Sequence, residues 1–189
     1  MINQKIRFCD IFFSILILFI SSPLIILISL LILTLDGAPI IFKQIRVGYN
    51  GKKFIIFKFR TMNNIIAKNE KLRLTHLGKF LRKTSLDELP QFVNVLKKDM
   101  SIVGPRPLPK VIENKIKYSQ KTKRRQILPG ITGMSQINFT GKKRKLSEKI
   151  NLDIQFVNNY TFSNYLQIIL KTPIVLIIRI FKNKSLIIK

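Results

Sequence analysis

The 189-residue sequence predicts an α+β protein in which an apolar N-terminal segment precedes a small, mostly helical domain. Three observations lead to this prediction. Residues 11–35 are almost entirely apolar, residues 39–60 have the pattern of a β-hairpin, and the rest of the chain alternates basic helical stretches with loops rich in Pro and Gly. We therefore expect a membrane anchor over residues 1–36 and a folded domain over residues 37–189.

The apolar segment is long enough to cross a bilayer, since its roughly 25 residues would form a helix of about 37 Å, against a hydrocarbon core of about 30 Å. Pro23, preceded by two serines, interrupts that helix. Lys and Arg residues lie on both sides of the segment, and the positive-inside rule disfavours placing either flank outside the cell. We expect a re-entrant helix–break–helix, broken at Ser22 and Pro23. The alternative is an ordinary kinked transmembrane helix.

The folded domain begins with a predicted hairpin. Its strands are expected over 39–43 and 54–60, joined by an Asn-Gly type turn at 48–51. The two-residue period of a strand places Lys58 and Arg60 on one face, where they could hold a diphosphate or simply be solvated. Further expected elements are helices over 66–84, 88–97, 110–126 and 146–160, a short strand at 134–137, and an interfacial amphipathic segment, interrupted at Pro173, over about 164–182.

The charge of the chain restricts its partners. A net charge of +25 requires an acidic partner, which can be nucleic acid, anionic lipid or a phosphorylated substrate. Nucleic acid is the weakest of these, because the sequence has no zinc-finger spacing, no aromatic RNA-binding consensus and no obvious helix-turn-helix. One cysteine and one histidine provide neither a disulfide framework nor a His-rich metal site, so any metal must be a hard cation held by oxygens.

Two adjacent carboxylates, Asp87 and Glu88, are unusual in a chain with only nine acidic residues. One interpretation is structural: Ser85 and Glu88 have the spacing of a capping box that would open a helix. Pro90 fits that interpretation less well, because it removes a backbone amide inside the expected helix. The other interpretation is chemical, and the two are compatible, since a helix N-terminus is also an anion site.

Two loops rich in Pro and Gly follow the acidic pair. In the first, Arg106 lies between Pro105 and Pro107, so that its backbone is fixed and it loses little entropy on binding an oxyanion. The planar guanidinium suits phosphate. The second loop covers residues 128–133. These features indicate an enzyme that handles phosphates at a membrane surface, although a non-catalytic, membrane-tethered interaction protein would explain the anchor and the charge.

Four motifs, in order, resemble the bacterial sugar transferases, which are monotopic phosphoglycosyl transferases acting on polyprenol phosphate. The resemblance extends over about residues 8–172. With no extra N-terminal membrane helices expected, the chain resembles the minimal form of the family. The motifs are Phe57-Lys58-Phe59-Arg60-Thr61-Met62, Leu81-Arg82-Lys83-Thr84-Ser85-Leu86-Asp87-Glu88-Leu89-Pro90-Gln91, Met100-Ser101-Ile102-Val103-Gly104-Pro105-Arg106-Pro107 and Leu128-Pro129-Gly130-Ile131-Thr132-Gly133.

The resemblance implies a two-step reaction at the cytoplasmic face of the bacterial inner membrane, the first membrane step of surface glycan assembly. A nucleotide diphosphate sugar, with UDP as the expected nucleotide, gives its sugar phosphate to Asp87, and polyprenol (undecaprenyl) phosphate then takes it. Glu88 is the implied Mg²⁺ ligand. The basic surface would also meet anionic membrane lipids. The other implied site residues bind phosphate or shape the site: Arg106, Lys58, Arg60, Arg82, Pro90, Gln91, Pro105 and Pro107.

The sequence departs from the family pattern at three places. Lys98 stands where glycine is frequent, and Met134 stands where tryptophan is expected. An Asn-Gly-Arg stretch is replaced by residues 138–142, Asn-Phe-Thr-Gly-Lys. These positions belong to the region expected to contact nucleotide or sugar, so the sequence leaves the donor sugar, the glycan pathway and the oligomeric state open.

Overall fold

The computed structural model describes residues 3–63, 73–138 and 145–182 and confirms a mixed α+β fold. Two short sheets lie among helices. Strands β1 (Ile41–Val47) and β2 (Lys53–Phe59) pair antiparallel, and β3 (Ser101–Val103) and β4 (Gly130–Thr132) pair parallel. The helices are α1 (Gln4–Ile20), α2 (Ser22–Leu35), α3 (His76–Thr84), α4 (Gln91–Leu96), α5 (Lys110–Glu113), α6 (Tyr118–Arg124), α7 (Met134–Ile137), α8 (Leu146–Asn158) and α9 (Phe162–Lys182).

The N-terminal segment forms two helices that meet at a bend of 61°. Ser21 separates α1 from α2, and Ser22 and Pro23 occupy the first turn of α2, where proline costs no helical hydrogen bond. Most of the apolar surface of this pair is not covered by the domain; Phe19, for example, is 78% exposed. By length and composition the bent pair is apolar enough for one broken membrane span or a re-entrant loop, and α9 for one span.

A polar junction joins α1 to the domain. The Asp10 side chain is fully buried, and its Oδ1 accepts hydrogen bonds from Ser101 Oγ at 3.0 Å, Ile102 N at 2.8 Å and Tyr165 Oη at 2.8 Å. Arg7 donates to the carbonyls of the last turn of α4, with 2.7 Å to Val95 O. One turn of α1 is thereby fixed to β3, α4 and α9.

The hairpin agrees with its predicted position, although its strands are longer toward the turn. Ile41 pairs with Phe59 and Val47 with Lys53, so β1 extends four residues beyond its expected end at residue 43. Asn50 and Gly51 both have positive φ, 49° and 78°, which explains the Asn-Gly sequence of the turn.

The outer edge of β2 is covered by a side chain of α4. The buried Asn94 amide accepts from Phe57 N at 3.0 Å and donates to Ile55 O at 2.7 Å. This contact holds β2 against α4, the helix that follows the acidic pair, and so fixes the distance between the strand and the acidic turn.

Several predicted elements differ from the structure. The expected strand at 134–137 is the helical turn α7, and the strand is the preceding β4, which pairs with β3. In place of the expected helix 110–126 the structure has two short helices, α5 and α6. The helix expected over 88–97 is shorter than predicted and consists of α4 alone. Of the predicted helix 66–84, residues 66–72 lie outside the described residues, and α3 covers its end. Pro173 does not interrupt α9, which is one continuous helix.

Candidate active site

The acidic pair lies in a 3₁₀ turn, Leu86–Glu88, between α3 and α4. Ser85 before it has a φ of 60°, and its side chain makes no capping hydrogen bond, so the predicted capping box is wrong. Pro90 immediately precedes α4 as its N-cap residue, where the missing amide costs nothing, and the buried Gln91 opens the helix. These residues therefore form a tight turn that presents two carboxylates, and no helix starts at Ser85.

Three segments that are distant in sequence meet at Glu88. Lys58 Nζ of β2 lies 2.6 Å from Glu88 Oε1, and Arg106 Nη2 lies 2.7 Å from the same oxygen. Lys58 Nζ also lies 3.9 Å from Asp87 Oδ2. The hairpin, the acidic turn and the Pro-Arg-Pro loop thus converge on one constellation of two acids and two cations.

The two carboxylates differ in ionisation. Burial and the neighbouring charge of Glu88 raise the pKa of Asp87 to about 6, even though Lys58, Arg106 and Arg82 oppose the shift. Burial also acts to raise the pKa of Glu88, but the positive charges and hydrogen bonds of Arg106 and Lys58 outweigh it and hold that pKa at about 2. Glu88 is therefore ionised at both neutral and mildly acidic pH, whereas Asp87 is mostly ionised at neutral pH and becomes protonated in mild acid.

The backbone of the loop that carries Arg106 is held by contacts with neighbouring residues. Arg124 Nη2 donates to the Arg106 carbonyl at 2.7 Å and forms a buried ion pair with Asp153 Oδ2 at 3.0 Å. Gly104 and Gly130 allow the two glycine-containing loops to touch, because a Cβ on Gly130 would lie 2.0 Å from Gly104 N. Pro105 and Pro107 complete a loop whose backbone is held on both sides, so the guanidinium of Arg106 is positioned before any ligand binds.

The constellation forms one wall of a cavity of about 990 Å³. The cavity wall carries more positive charge than the sequence analysis assigned to the site; the additional lining cations are Lys43, Arg46, Arg73, Lys149 and Arg179. Arg46 of β1 donates to Pro107 O at 3.3 Å, and burial together with the charge of Arg106 lowers its pKa to about 10. A strongly cationic cavity of this size suits a ligand with several phosphates.

The two remaining predicted cations are placed differently from Lys58 and Arg106. Arg82 lines the cavity, and its Nε donates to Thr61 Oγ1 at 2.9 Å. Arg60 also borders the cavity, but its guanidinium donates to the carbonyls of Asp36, Gly37 and Ala38. Arg60 thus joins β2 to the residues that follow α2. It does not reach toward the acidic pair with Lys58, as the strand period predicted. This geometry does not favour its predicted role as a phosphate ligand.

The acidic pair is compatible with a magnesium ion that is shared with substrate. Mg²⁺ is commonly held by one or two carboxylates together with phosphate oxygens and water. Both cations contact Glu88 Oε1, while Glu88 Oε2 accepts no hydrogen bond from the part of the chain that the structure describes. Within those residues no group of three or more His, Cys, Asp or Glu gathers, so Asp87 and Glu88 would need phosphate to complete the coordination.

Comparison with known proteins identifies the family. The sequence model of the family described as bacterial sugar transferase matches residues 3–179. This chain belongs to the bacterial sugar transferase family. The resemblance inferred from the four motifs is confirmed, and the constellation described above is built from three of those motifs.

Several curated proteins are similar to this chain. Galactosyl transferase CpsE of Streptococcus agalactiae is 44% identical over 156 residues, which cover 72% of this chain and 34% of that protein. The UDP-glucose:undecaprenyl-phosphate glucose-1-phosphate transferase of Klebsiella pneumoniae is 38% identical over 194 residues, covering 95% of this chain and 40% of that protein. The uncharacterized sugar transferase EpsL of Bacillus subtilis is 41% identical, and the match covers 77% of it. This chain thus spans well under half of the first two relatives.

Proposed function

We propose that this protein is a phosphoglycosyl transferase that moves a sugar 1-phosphate from a UDP-sugar to polyprenol phosphate. The observation that carries the proposal is the constellation at the cavity: an ionisable Asp87 beside a Glu88 that is held as an anion by Lys58 and Arg106. Relatives from Klebsiella pneumoniae and Salmonella typhimurium are named undecaprenyl-phosphate glucose-1-phosphate transferase and undecaprenyl-phosphate galactose phosphotransferase, which supports the same reaction here.

In the first step a carboxylate oxygen of Asp87 attacks the phosphorus that bears the sugar. A new O–P bond forms, the P–O bond to the bridging oxygen breaks, and uridine monophosphate (UMP) leaves with the electron pair. Asp87 needs no general base, because a group with a pKa of about 6 is mostly ionised at neutral pH. Repulsion between its charge and the diphosphate is the main obstacle, and Lys58 and Arg106 are positioned to reduce it.

In the second step a phosphate oxygen of the polyprenol phosphate attacks the same phosphorus. The bond to Asp87 breaks and the carboxylate is restored. Glu88, together with substrate phosphate, would hold Mg²⁺, which when bound neutralises phosphate charge. Neighbouring side chains in a helical turn diverge, so one carboxylate can act as nucleophile while the other stays with the cations.

We further propose that the protein is monotopic and lies on the cytoplasmic face of the membrane. The bend of 61° between α1 and α2 and the basic residues on both flanks favour a re-entrant anchor over a single crossing. One side of α9 packs on the domain, where Thr172 Oγ1 and Thr132 Oγ1 are 2.9 Å apart, which supports an interfacial position. The product would be the first membrane-bound intermediate of a surface glycan.

The catalytic proposal is tested by UMP release from UDP-glucose and UDP-galactose in detergent, with polyprenol phosphate and Mg²⁺ present. We expect one equivalent of UMP per protein without the lipid acceptor, and further UMP release only when the acceptor is present. Absence of release with every UDP-sugar in a wider screen would overturn the proposal. The same screen identifies the donor, for which the departures at Lys98 and Met134 and at residues 138–142 give no prediction; residues 139–144 lie outside the described residues.

Membrane topology is tested by labelling single cysteines in a Cys9→Ser background. Gln4 and Lys52 are exposed; Gln4 lies at the start of α1, and Lys52 follows α2 in the sequence. In inverted and right-side-out vesicles, cysteines at these two positions should both react from the cytoplasmic side. Reaction of position 4 from the opposite side would show an ordinary span and remove the re-entrant model.

A further inference from the structure

The second half of α9 presents two different faces. One face, opposite the cavity, carries exposed apolar side chains: Leu170, Ile174, Ile177, Ile178 and Phe181. The other face lines the cavity with residues that recur every three or four positions and therefore share one side of the helix: Thr172, Val175, Leu176 and Arg179. The cavity is thus bounded by a helix whose outer surface suits lipid and whose inner surface combines apolar side chains with a cation.

Arg179 connects this helix to the acidic turn. Its Nη1 donates to Ser85 Oγ at 3.4 Å, and Ser85 lies two residues before Asp87. Arg82 of α3 borders the same cavity, with its Nε on Thr61 Oγ1 at 2.9 Å. Two guanidinium groups from different helices therefore line the cavity that Asp87 faces.

Neither of these two arginines forms an ion pair with a carboxylate of the described residues. The ion pairs among residues 3–63, 73–138 and 145–182 use Lys58, Arg106, Arg124 and Arg125, and none uses Arg82 or Arg179, whose partners given above are hydroxyls. A phosphomonoester carries about −1.5 to −2 charges at pH 7 and three acceptor oxygens, and it is well matched by two guanidinium groups.

We propose that Arg179 and Arg82 bind the terminal phosphate of the lipid acceptor, a phosphomonoester on a long apolar chain, and that Val175 and Leu176 contact the start of that chain. This inference rests on the proposed function and assigns the second substrate to its own residues, with the donor diphosphate left to Lys58 and Arg106. An oxygen of the bound phosphate forms the new bond to phosphorus as the bond to Asp87 breaks, and the electron pair returns to the Asp87 carboxylate.

The test separates the two half-reactions in the full-length protein. Arg179→Gln is compared with Lys171→Gln, which removes the same charge from an exposed position of α9 outside the cavity lining. Without acceptor, both variants should release about one equivalent of UMP per protein, like the wild type. With polyprenol phosphate, Arg179→Gln should show a KM for the acceptor raised at least tenfold, and Lys171→Gln should not.

Three results would overturn the inference. The first is an Arg179→Gln variant with an unchanged KM for the acceptor. The second is a loss of the single UMP equivalent in that variant while the wild type still releases it. That result would mean that Arg179 binds the donor or is needed for folding. The third is a parallel loss of binding to phosphatidylglycerol vesicles, which would assign Arg179 to a lipid headgroup. A wild type that releases no UMP would instead refute the proposed function itself.

Discussion

Two buried aspartates of this protein, Asp87 and Asp10, show how differently the same side chain can be used. Asp10 in α1 is surrounded by neutral donors, a serine hydroxyl, a backbone amide and a tyrosine hydroxyl, in a junction that excludes solvent. Asp87 faces a cavity of about 990 Å³, next to a second carboxylate and within 3.9 Å of Lys58 Nζ. Burial is common to both residues and therefore indicates nothing about chemistry.

The difference lies in the partners and in access. Neutral donors satisfy the Asp10 Oδ1 oxygen and join three elements, so the carboxylate acts as a structural connector. At the acidic turn the cations contact Glu88 most closely, which leaves Asp87 facing the cavity with a raised pKa. A charged neighbour and an adjoining cavity thus distinguish the reactive carboxylate from the structural one. Substitutions at the two aspartates and their partners test this distinction.

Asp87→Asn should abolish turnover without unfolding the protein, because an amide cannot form the acyl phosphate. UMP release and the thermal unfolding temperature are measured together. Glu148→Gln, at an exposed position of α8, is the matched control and should retain activity. Substantial activity of Asp87→Asn would mean that Asp87 is not the nucleophile and that the contrast with Asp10 is only one of position.

Arg106→Lys keeps the positive charge but loses the planar fork, and it should lower kcat/KM for the donor at least tenfold, or about 1.4 kcal/mol. The guanidinium is pre-positioned by the braced loop, and a lysine ammonium cannot reproduce a two-point contact to phosphate. Lys98→Arg at an exposed position should change little. Wild-type kinetics in Arg106→Lys would direct the search for the phosphate clamp to Lys58 or Arg82.

Activity should fall on the acid side with a midpoint near the Asp87 pKa of about 6. The ordinary aspartate pKa is lower, so the nucleophile is lost by protonation at a higher pH than usual. Since the charge of Lys58 lowers this pKa, Lys58→Gln should move the acid midpoint to higher pH, besides slowing the reaction. Lys98→Gln should leave the midpoint unchanged. An unshifted midpoint in Lys58→Gln would indicate that another group titrates.

Asp10→Asn should have the smallest effect on activity, since an amide oxygen can still accept at the junction. Asp10→Ala, by contrast, leaves buried donors such as Tyr165 Oη unsatisfied and should lower the free energy of unfolding by about 2 kcal/mol or more. Thermal unfolding in detergent measures this loss, and UMP release per folded molecule should stay close to wild type. Loss of chemistry in folded Asp10→Asn would show that the two aspartates are not functionally distinct.

The sequence predicts those parts of the site that depend on neighbours in the chain. The acidic pair and the Pro-Arg-Pro loop follow from adjacent residue types, and so does the hairpin turn at Asn50–Gly51 outside the site. Residues that reach the site through tertiary contacts were missed, for example Arg46 through strand pairing and Arg124 through its buried partner Asp153. Neither contact leaves a signal in a single sequence.

The errors have physical reasons as well. Residues 134–137 form a short apolar run, which does not distinguish a strand from a helical turn. The strand period predicts Arg60 on the face of Lys58, but β2 ends at Phe59, and the Arg60 guanidinium donates to the carbonyls of residues 36–38. Ser85 has capping-box spacing, but its positive φ places it outside a helix start.

The central claim, that Asp87 carries the sugar phosphate, is tested most directly by mass spectrometry of the wild-type protein mixed with its UDP-sugar donor in the absence of polyprenol phosphate. We predict one equivalent of released UMP and a mass increase equal to one sugar phosphate, on the peptide that contains Asp87, which disappears when acceptor is added. Turnover with acceptor but no adduct, or an adduct on another residue, would contradict the account.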